Sequence, residues 1–175
     1  MTPFRYYLRV RYIECDAQKV VFNSRYAEYV DVSVTEFLRA AGVLHEFVHG
    51  DLDFQLVKQT VEWKAPARYD EVLELSVTPK HLGSTSFTML TEFRIVDPCG
   101  RDPALSEPRT DRRGADEGRV EGRVIVTVET VYVMVDAKTL TKMPLPDRIR
   151  AALQSGASGL HTDHAALGYQ LIADS

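Results

Sequence analysis

A change of period constrains this chain more than any other feature. Residues 4–12 alternate, with Phe4, Tyr6, Leu8, Val10 and Tyr12 on one side and Arg5, Arg9 and Arg11 on the other. A two-residue period predicts a half-buried strand. From about Asn23 the apolar residues Tyr26, Val30, Val34, Phe37, Leu38 and Ala41 recur at three- and four-residue steps. That is one face of an amphipathic helix. After residue 52 strand-like runs return at about 54–65, 71–81, 85–96 and 122–135. A long helix set among strands must bury its apolar face on a sheet, which predicts an α+β fold. The short gaps between most of these strands predict largely antiparallel pairing.

Local signals set the boundaries. Asn23 or Ser24 suits a helix N-cap, and Gly42 suits a helix stop because glycine tolerates the left-handed conformation. Gly83 and Ser84 read as a hairpin turn, and Pro66 as an edge or bulge. Pro144 and Pro146 precede a last helix at about 147–155, with Ile149, Ala152 and Leu153 on one face. Residues 97–119, opened by Asp97-Pro98-Cys99-Gly100, are rich in Pro, Gly, Arg and Asp and predict a long mobile loop insertion. The expected organisation is one domain over residues 1–155 followed by a C-terminal tail, 156–175.

Composition excludes several function classes. No segment approaches the ~18 consecutive apolar residues of a membrane span, and no apolar leader follows Met1. A cytoplasmic protein with no membrane partner is expected. The formal net charge is −4, and the densest cations, Arg109, Arg112 and Arg113, sit among Asp111, Asp116 and Glu117. No basic stripe marks a nucleic-acid partner. An anionic ligand would therefore be held by a few local cations. Two cysteines give no disulfide framework and fit a reducing compartment.

The connection between the first strand and the helix carries the chemistry. Asp16 lies in a turn-like stretch, Glu14-Cys15-Asp16-Ala17-Gln18-Lys19, a few residues before the helix start. Free N–H groups at a helix N-terminus carry partial positive charge and polarise a carbonyl. Thioester hydrolysis needs a base or nucleophile close to such an oxyanion site. An aspartate at this place also suits an ordinary Asx-turn, so position alone leaves both readings open. Cys15 has no histidine near it in sequence to activate it and reads as a small, partly buried residue.

His45-Glu46-Phe47-Val48-His49 matches the helical zinc signature H-E-x-x-H. It lies between Gly42 and Gly50, which leaves little room for a helix of ordinary length. No third ligand at a suitable spacing is evident. We read it as a short surface turn and expect no metal and no cofactor.

The stretch from Arg11 through Asp16 and Asn23 to Tyr26, continued by Thr35-Glu36-Phe37-Leu38, resembles the active-site segment of the 4-hydroxybenzoyl-CoA thioesterase family. The resemblance continues at Val61-Glu62-Trp63-Lys64-Ala65-Pro66-Ala67, Tyr69-Asp70, Leu82-Gly83-Ser84-Thr85-Ser86-Phe87 and Thr130 to Asp136. It implies a hotdog fold, in which a curved antiparallel sheet wraps a long helix. It also implies a homodimer with joined sheets, often paired again into a homotetramer, with active sites at the subunit interface. Asp16 falls on the family's catalytic aspartate, and the backbone N–H of Asn23 on the group that polarises the thioester carbonyl. Ser84, Thr85 and Ser86 match the segment that contacts CoA. Lys58, Lys64 and Arg68 are further candidates for CoA, and Tyr26, Tyr29 and Phe37 for an acyl pocket or simply the core. The family's usual glycine is Lys19 here, at a tight turn that calls for unusual dihedrals. Asn23 replaces a more frequent Tyr or His.

The function this implies is hydrolysis of an acyl-CoA to a free acid and CoA. A carrier-protein thioesterase is the second reading. A non-catalytic acyl-CoA-binding protein is the third, favoured if Lys19 spoils the turn.

Overall fold

The computed structural model describes residues 2–96 and 122–165. The loop expected at 97–119 lies outside the described residues. The chain runs β1 (Phe4–Arg9), a 3-10 turn (Tyr12–Glu14), α1 (Arg25–Ala40), α2 (Leu44–Val48), β2 (Leu52–Trp63), β3 (Val72–Leu82), β4 (Ser86–Val96), β5 (Val124–Asp136), α3 (Asp147–Ser155) and β6 (His161–His164). The strands form one sheet in the order β2-β5-β4-β3-β1-β6. All neighbours are antiparallel except β6, which runs parallel to β1.

The apolar stripe of α1 is buried as its period requires. Tyr26, Tyr29, Val30, Val34, Phe37 and Leu38 pack into one core with Phe4, Leu73, Leu75, Val77, Phe87, Met89, Phe93, Val126 and Val128 of the sheet. Phe37 meets Phe4 edge-on at 5.9 Å, and Tyr26 meets Phe93 at 5.5 Å. Full burial of each large side chain stabilises the fold by about 1.5–3 kcal/mol. This contact fixes where the start of α1 sits relative to the sheet.

Three expectations need correction. The first strand ends at Arg9, and the chain turns at Tyr12, whose side chain is 82% exposed instead of continuing the buried row. Neither Asn23 nor Ser24 caps α1 with its side chain; Ser24 is the cap residue but is itself helical, with φ −68° and ψ −22°. The largely antiparallel pairing is as expected, with one parallel addition where His161–His164 joins β1. The segment around His45 and His49 is one short helix on the surface, not a plain turn. Gly42 does take the left-handed conformation just after α1, with φ 74°.

The two edges of the sheet differ. β6 is four residues long and polar, His-Thr-Asp-His. β2 is twelve residues long, pairs among the described residues with β5 alone, and carries exposed Leu56, Val57 and Trp63. A bulge between Leu56 and Lys58 bends it.

Candidate active site

Asp16 sits at the head of a small hairpin. Its N–H donates to the Val20 carbonyl at 2.9 Å, and its carbonyl accepts the Lys19 N–H at 2.9 Å. Cys15 and Val21 bridge across, and the Phe22 N–H donates to the Glu14 carbonyl at 2.9 Å. Closing a turn this tight requires a left-handed residue before the return strand. That residue is Lys19, with φ 62°. The lysine therefore adopts the conformation for which glycine is preferred, at a cost of about 1 kcal/mol, and the turn is kept.

The Asp16 side chain is partly exposed. Its Oδ1 accepts the Gln18 N–H at 2.8 Å and, more weakly, the Val20 N–H at 3.5 Å. This is an Asx-turn, so Asp16 does hold the hairpin. Oδ2 has no hydrogen-bond partner among the described residues. One oxygen thus fixes the carboxylate, and the other is unengaged among the described residues.

The hairpin delivers the chain to the start of α1. Arg25 N–H donates to Phe22 O at 2.9 Å, and Ala27 N–H to Ser24 O at 3.2 Å. The N–H groups of Asn23 and Ser24 have no acceptor among the described residues. Without a side-chain cap, the positive end of the α1 dipole is left bare.

A buried carboxylate lies beneath this corner. Glu14 is 2% exposed. It accepts the Arg11 N–H at 2.6 Å, Arg11 Nε at 2.9 Å and Arg11 Nη2 at 2.6 Å. Burial would raise its pKa, but these Arg11 bonds outweigh burial and hold it below the usual carboxylate value. Tyr29, on the second turn of α1, has a buried hydroxyl that makes no well-formed hydrogen bond among the described residues. Burial, and then the neighbouring Glu14, push that phenol far up. Sequence reading passed over Glu14 as an ordinary turn residue. Its signal was the Arg11-x-x-Glu14 spacing, which lets the guanidinium fold back onto the carboxylate within one turn. Cys15 is not an activated thiol; burial and the charges of Glu14 and Asp16 raise its pKa.

The other candidates fall in three places. Arg68 lies beside the Asp16 hairpin, bridging Val20, while Val21 N–H donates to Ala67 O at 2.8 Å. Lys64 follows the end of β2, with Nζ 3.2 Å from Thr127 Oγ1, and Lys58 lies on β2 next to the bulge. Tyr26, Tyr29 and Phe37 are in the core, and the Tyr26 hydroxyl accepts the Ala67 N–H at 3.3 Å.

Ser84, Thr85 and Ser86 form the β3–β4 tip. Backbone and Arg150 bonds fix it: Gly83 N–H to Ser86 O at 2.8 Å, Leu145 N–H to Ser84 O at 2.8 Å, and Arg150 Nη2 to Gly83 O at 2.7 Å. The Asp16 hairpin meets the sheet near Val72, where Asp70 N–H donates to Val10 O. The tip lies at the far end of β3, roughly 30 Å along the strand. One chain therefore does not bring Asp16 and Ser84–Ser86 together.

The His45–His49 segment is tied elsewhere. His45 Nε2 lies 3.4 Å from Arg148 Nη2, and Glu46 pairs with Arg148. These contacts join α2 to α3.

Residues 10–153 match the model of the thioesterase-like superfamily. The chain belongs to that superfamily. The matched span contains the Asp16 hairpin, α1 and the β3–β4 tip, and stops before β6. Among relatives, the chain is similar to the acyl-CoA thioester hydrolase YbgC of Escherichia coli O6:H1, with 31% identity over 120 residues, covering 62% of this chain and 89% of that protein. Its fold is shared with the gentisyl-coenzyme A thioesterase BH1999, with a TM-score of 0.66 and 21% identity over 85% of this chain and 98% of that one. It is also shared with Slr0204, a 1,4-dihydroxy-2-naphthoyl-CoA thioesterase from Synechocystis, with a TM-score of 0.65 and 17% identity over 86% and 95%. The α+β architecture of this thioesterase-like protein is the hotdog fold.

Proposed function

We propose that this protein hydrolyses acyl-CoA thioesters to a carboxylic acid and CoA, with Asp16 as the catalytic carboxylate. The observation that carries this reading is the corner where a fixed carboxylate with one unengaged oxygen leads into the bare amide end of α1. The relatives' acyl-CoA substrates support the choice of CoA over a carrier-protein thioester. The positive φ at Lys19 supports catalysis over mere binding, because the turn survives the loss of its glycine.

Asp16 Oδ2 either attacks the thioester carbon or takes a proton from the water that attacks it. Charge developing on the carbonyl oxygen is met by the N–H groups of Asn23 and Ser24. The C–S bond then breaks, and CoA leaves as the thiolate or, after protonation, the thiol. In the first route water hydrolyses the resulting anhydride and restores Asp16.

The site is completed by a second copy. The long, exposed edge of β2 is the surface on which a two-fold partner extends the sheet. Such pairing of β2 with itself runs antiparallel, so it reverses the partner's ends. The partner's β3–β4 tip is then carried toward the end of the sheet that holds Asp16. In this arrangement Ser84–Ser86 of one copy serve the CoA of a thioester attacked at the other copy's Asp16.

The test is thiol release over a panel of acyl-CoAs, compared with the same acyl groups on carrier protein. Hydrolysis of at least one acyl-CoA, abolished in Asp16→Asn, is expected. Binding without release in the wild type would overturn the reading in favour of a non-catalytic acyl-CoA-binding protein.

A further inference from the structure

We infer that Glu14 is a positioning residue that sets the geometry between Asp16 and the helix-start amides; this rests on the hydrolytic reading above. Three observations carry it. Its carboxylate is almost wholly buried, although burying an unpaired charge is costly. A buried charge of this kind is kept only where it is well bonded, and Arg11 supplies three donors from one residue. Arg11 itself is 74% exposed at its side chain, so the guanidinium reaches inward to Glu14 from the surface.

Glu14 acts on both halves of the proposed site. Through its backbone carbonyl it takes the Phe22 N–H, which fixes the residue just before Asn23. Through the chain it is two residues from Asp16. Beside its carboxylate stands the Tyr29 hydroxyl on α1, and Glu14 raises that phenol's pKa. The carboxylate therefore sits where the hairpin, the 3-10 turn and the helix meet. Loss of its charge frees Arg11, and the hairpin can then shift against α1. A shift of about 1 Å between a catalytic group and its oxyanion site can cost about 100-fold in rate.

The experiment is steady-state thiol release from an acyl-CoA that the wild type hydrolyses, with Glu14→Gln, Asp16→Asn, their combination and Arg11→Lys. Glu14→Gln is expected to lower kcat about tenfold or more while KM stays within about twofold. Added to Asp16→Asn it is expected to cause no further loss, since groups acting as one unit are not additive. Arg11→Lys keeps the charge but lacks the fork that holds Glu14, and should reproduce the kcat loss from the exposed side even if Glu14→Gln does not fold. The Asn23 amide resonance should move in both single variants. Near-wild-type kcat in a folded Glu14→Gln or Arg11→Lys protein would overturn the inference. So would a loss that multiplies fully onto Asp16→Asn, or an unmoved Asn23 amide. A wild type that hydrolyses no acyl-CoA would instead overturn the function on which the inference rests.

Discussion

The two edges of the sheet solve the same problem in different ways. An unpaired strand edge offers a row of N–H and C=O groups to any other chain, and proteins usually blunt it. At one edge, β6 is short and polar. At the other, β2 offers twelve residues with Leu56, Val57 and Trp63 exposed. The contrast teaches that the two edges are unequally protected, and the proposed two-fold pairing uses the long one. Along the strands the candidate residues also stand apart, with Asp16 toward one end of the sheet and Ser84–Ser86 at the other.

The largest effect is expected at Asp16. Asp16→Asn should lower thiol release by about 10²–10⁴-fold while leaving the melting temperature and oligomeric state unchanged. A variant of unchanged turnover would leave the Asp16 corner with only its Asx-turn role. The edge is tested next. Val57→Lys combined with Trp63→Lys should weaken self-association by about 100-fold or more, read by sedimentation, with turnover falling in step with the dimer. A monomeric yet fully active protein would separate the edge from the site.

The short edge should matter less. Deleting residues 159–175 removes β6, its pairing with β1 and the 2.9 Å contact between Tyr6 Oη and His164 Nδ1. The expected cost is about 1–3 kcal/mol in denaturant unfolding, with the dimer and turnover retained. Dissociation on deletion would show that the edges were assigned the wrong way round. The smallest effect expected is at the turn. Lys19→Gly relieves a left-handed lysine and should stabilise the protein by about 0.5–1 kcal/mol, without loss of turnover.

These features were unequally legible in the sequence. The long helix and the central strands were visible because burial imposes periods of 3.6 and 2 on their residues. Lys19 was visible as a strained turn position because a resemblance placed a glycine there. The end of β1 was hidden, since Tyr12 continues the alternation by identity although the backbone has already turned. Strand β6 was hidden too; four polar residues carry no hydrophobic period, and only their pairing with β1 makes them a strand. Glu14 was the deepest omission. A charged residue in a turn reads as solvated, and its burial depends on Arg11 folding back and on Tyr29 arriving from the helix. The separation of Asp16 from Ser84–Ser86 along the sheet follows from how the strands pair, which residue spacing does not reveal.

In the proposed dimer, Asp16 of one copy and the β3–β4 tip of another form one hydrolytic site. This sharing is tested by mixing two variants, Asp16→Asn and the combined Ser84→Glu, Ser86→Glu, after subunit exchange. Each mixed dimer would hold one intact site and one doubly altered site. Two nearly inactive proteins should regain about one quarter of wild-type thiol release on equal mixing. Release that stays at the level of the two separate variants would contradict the shared site.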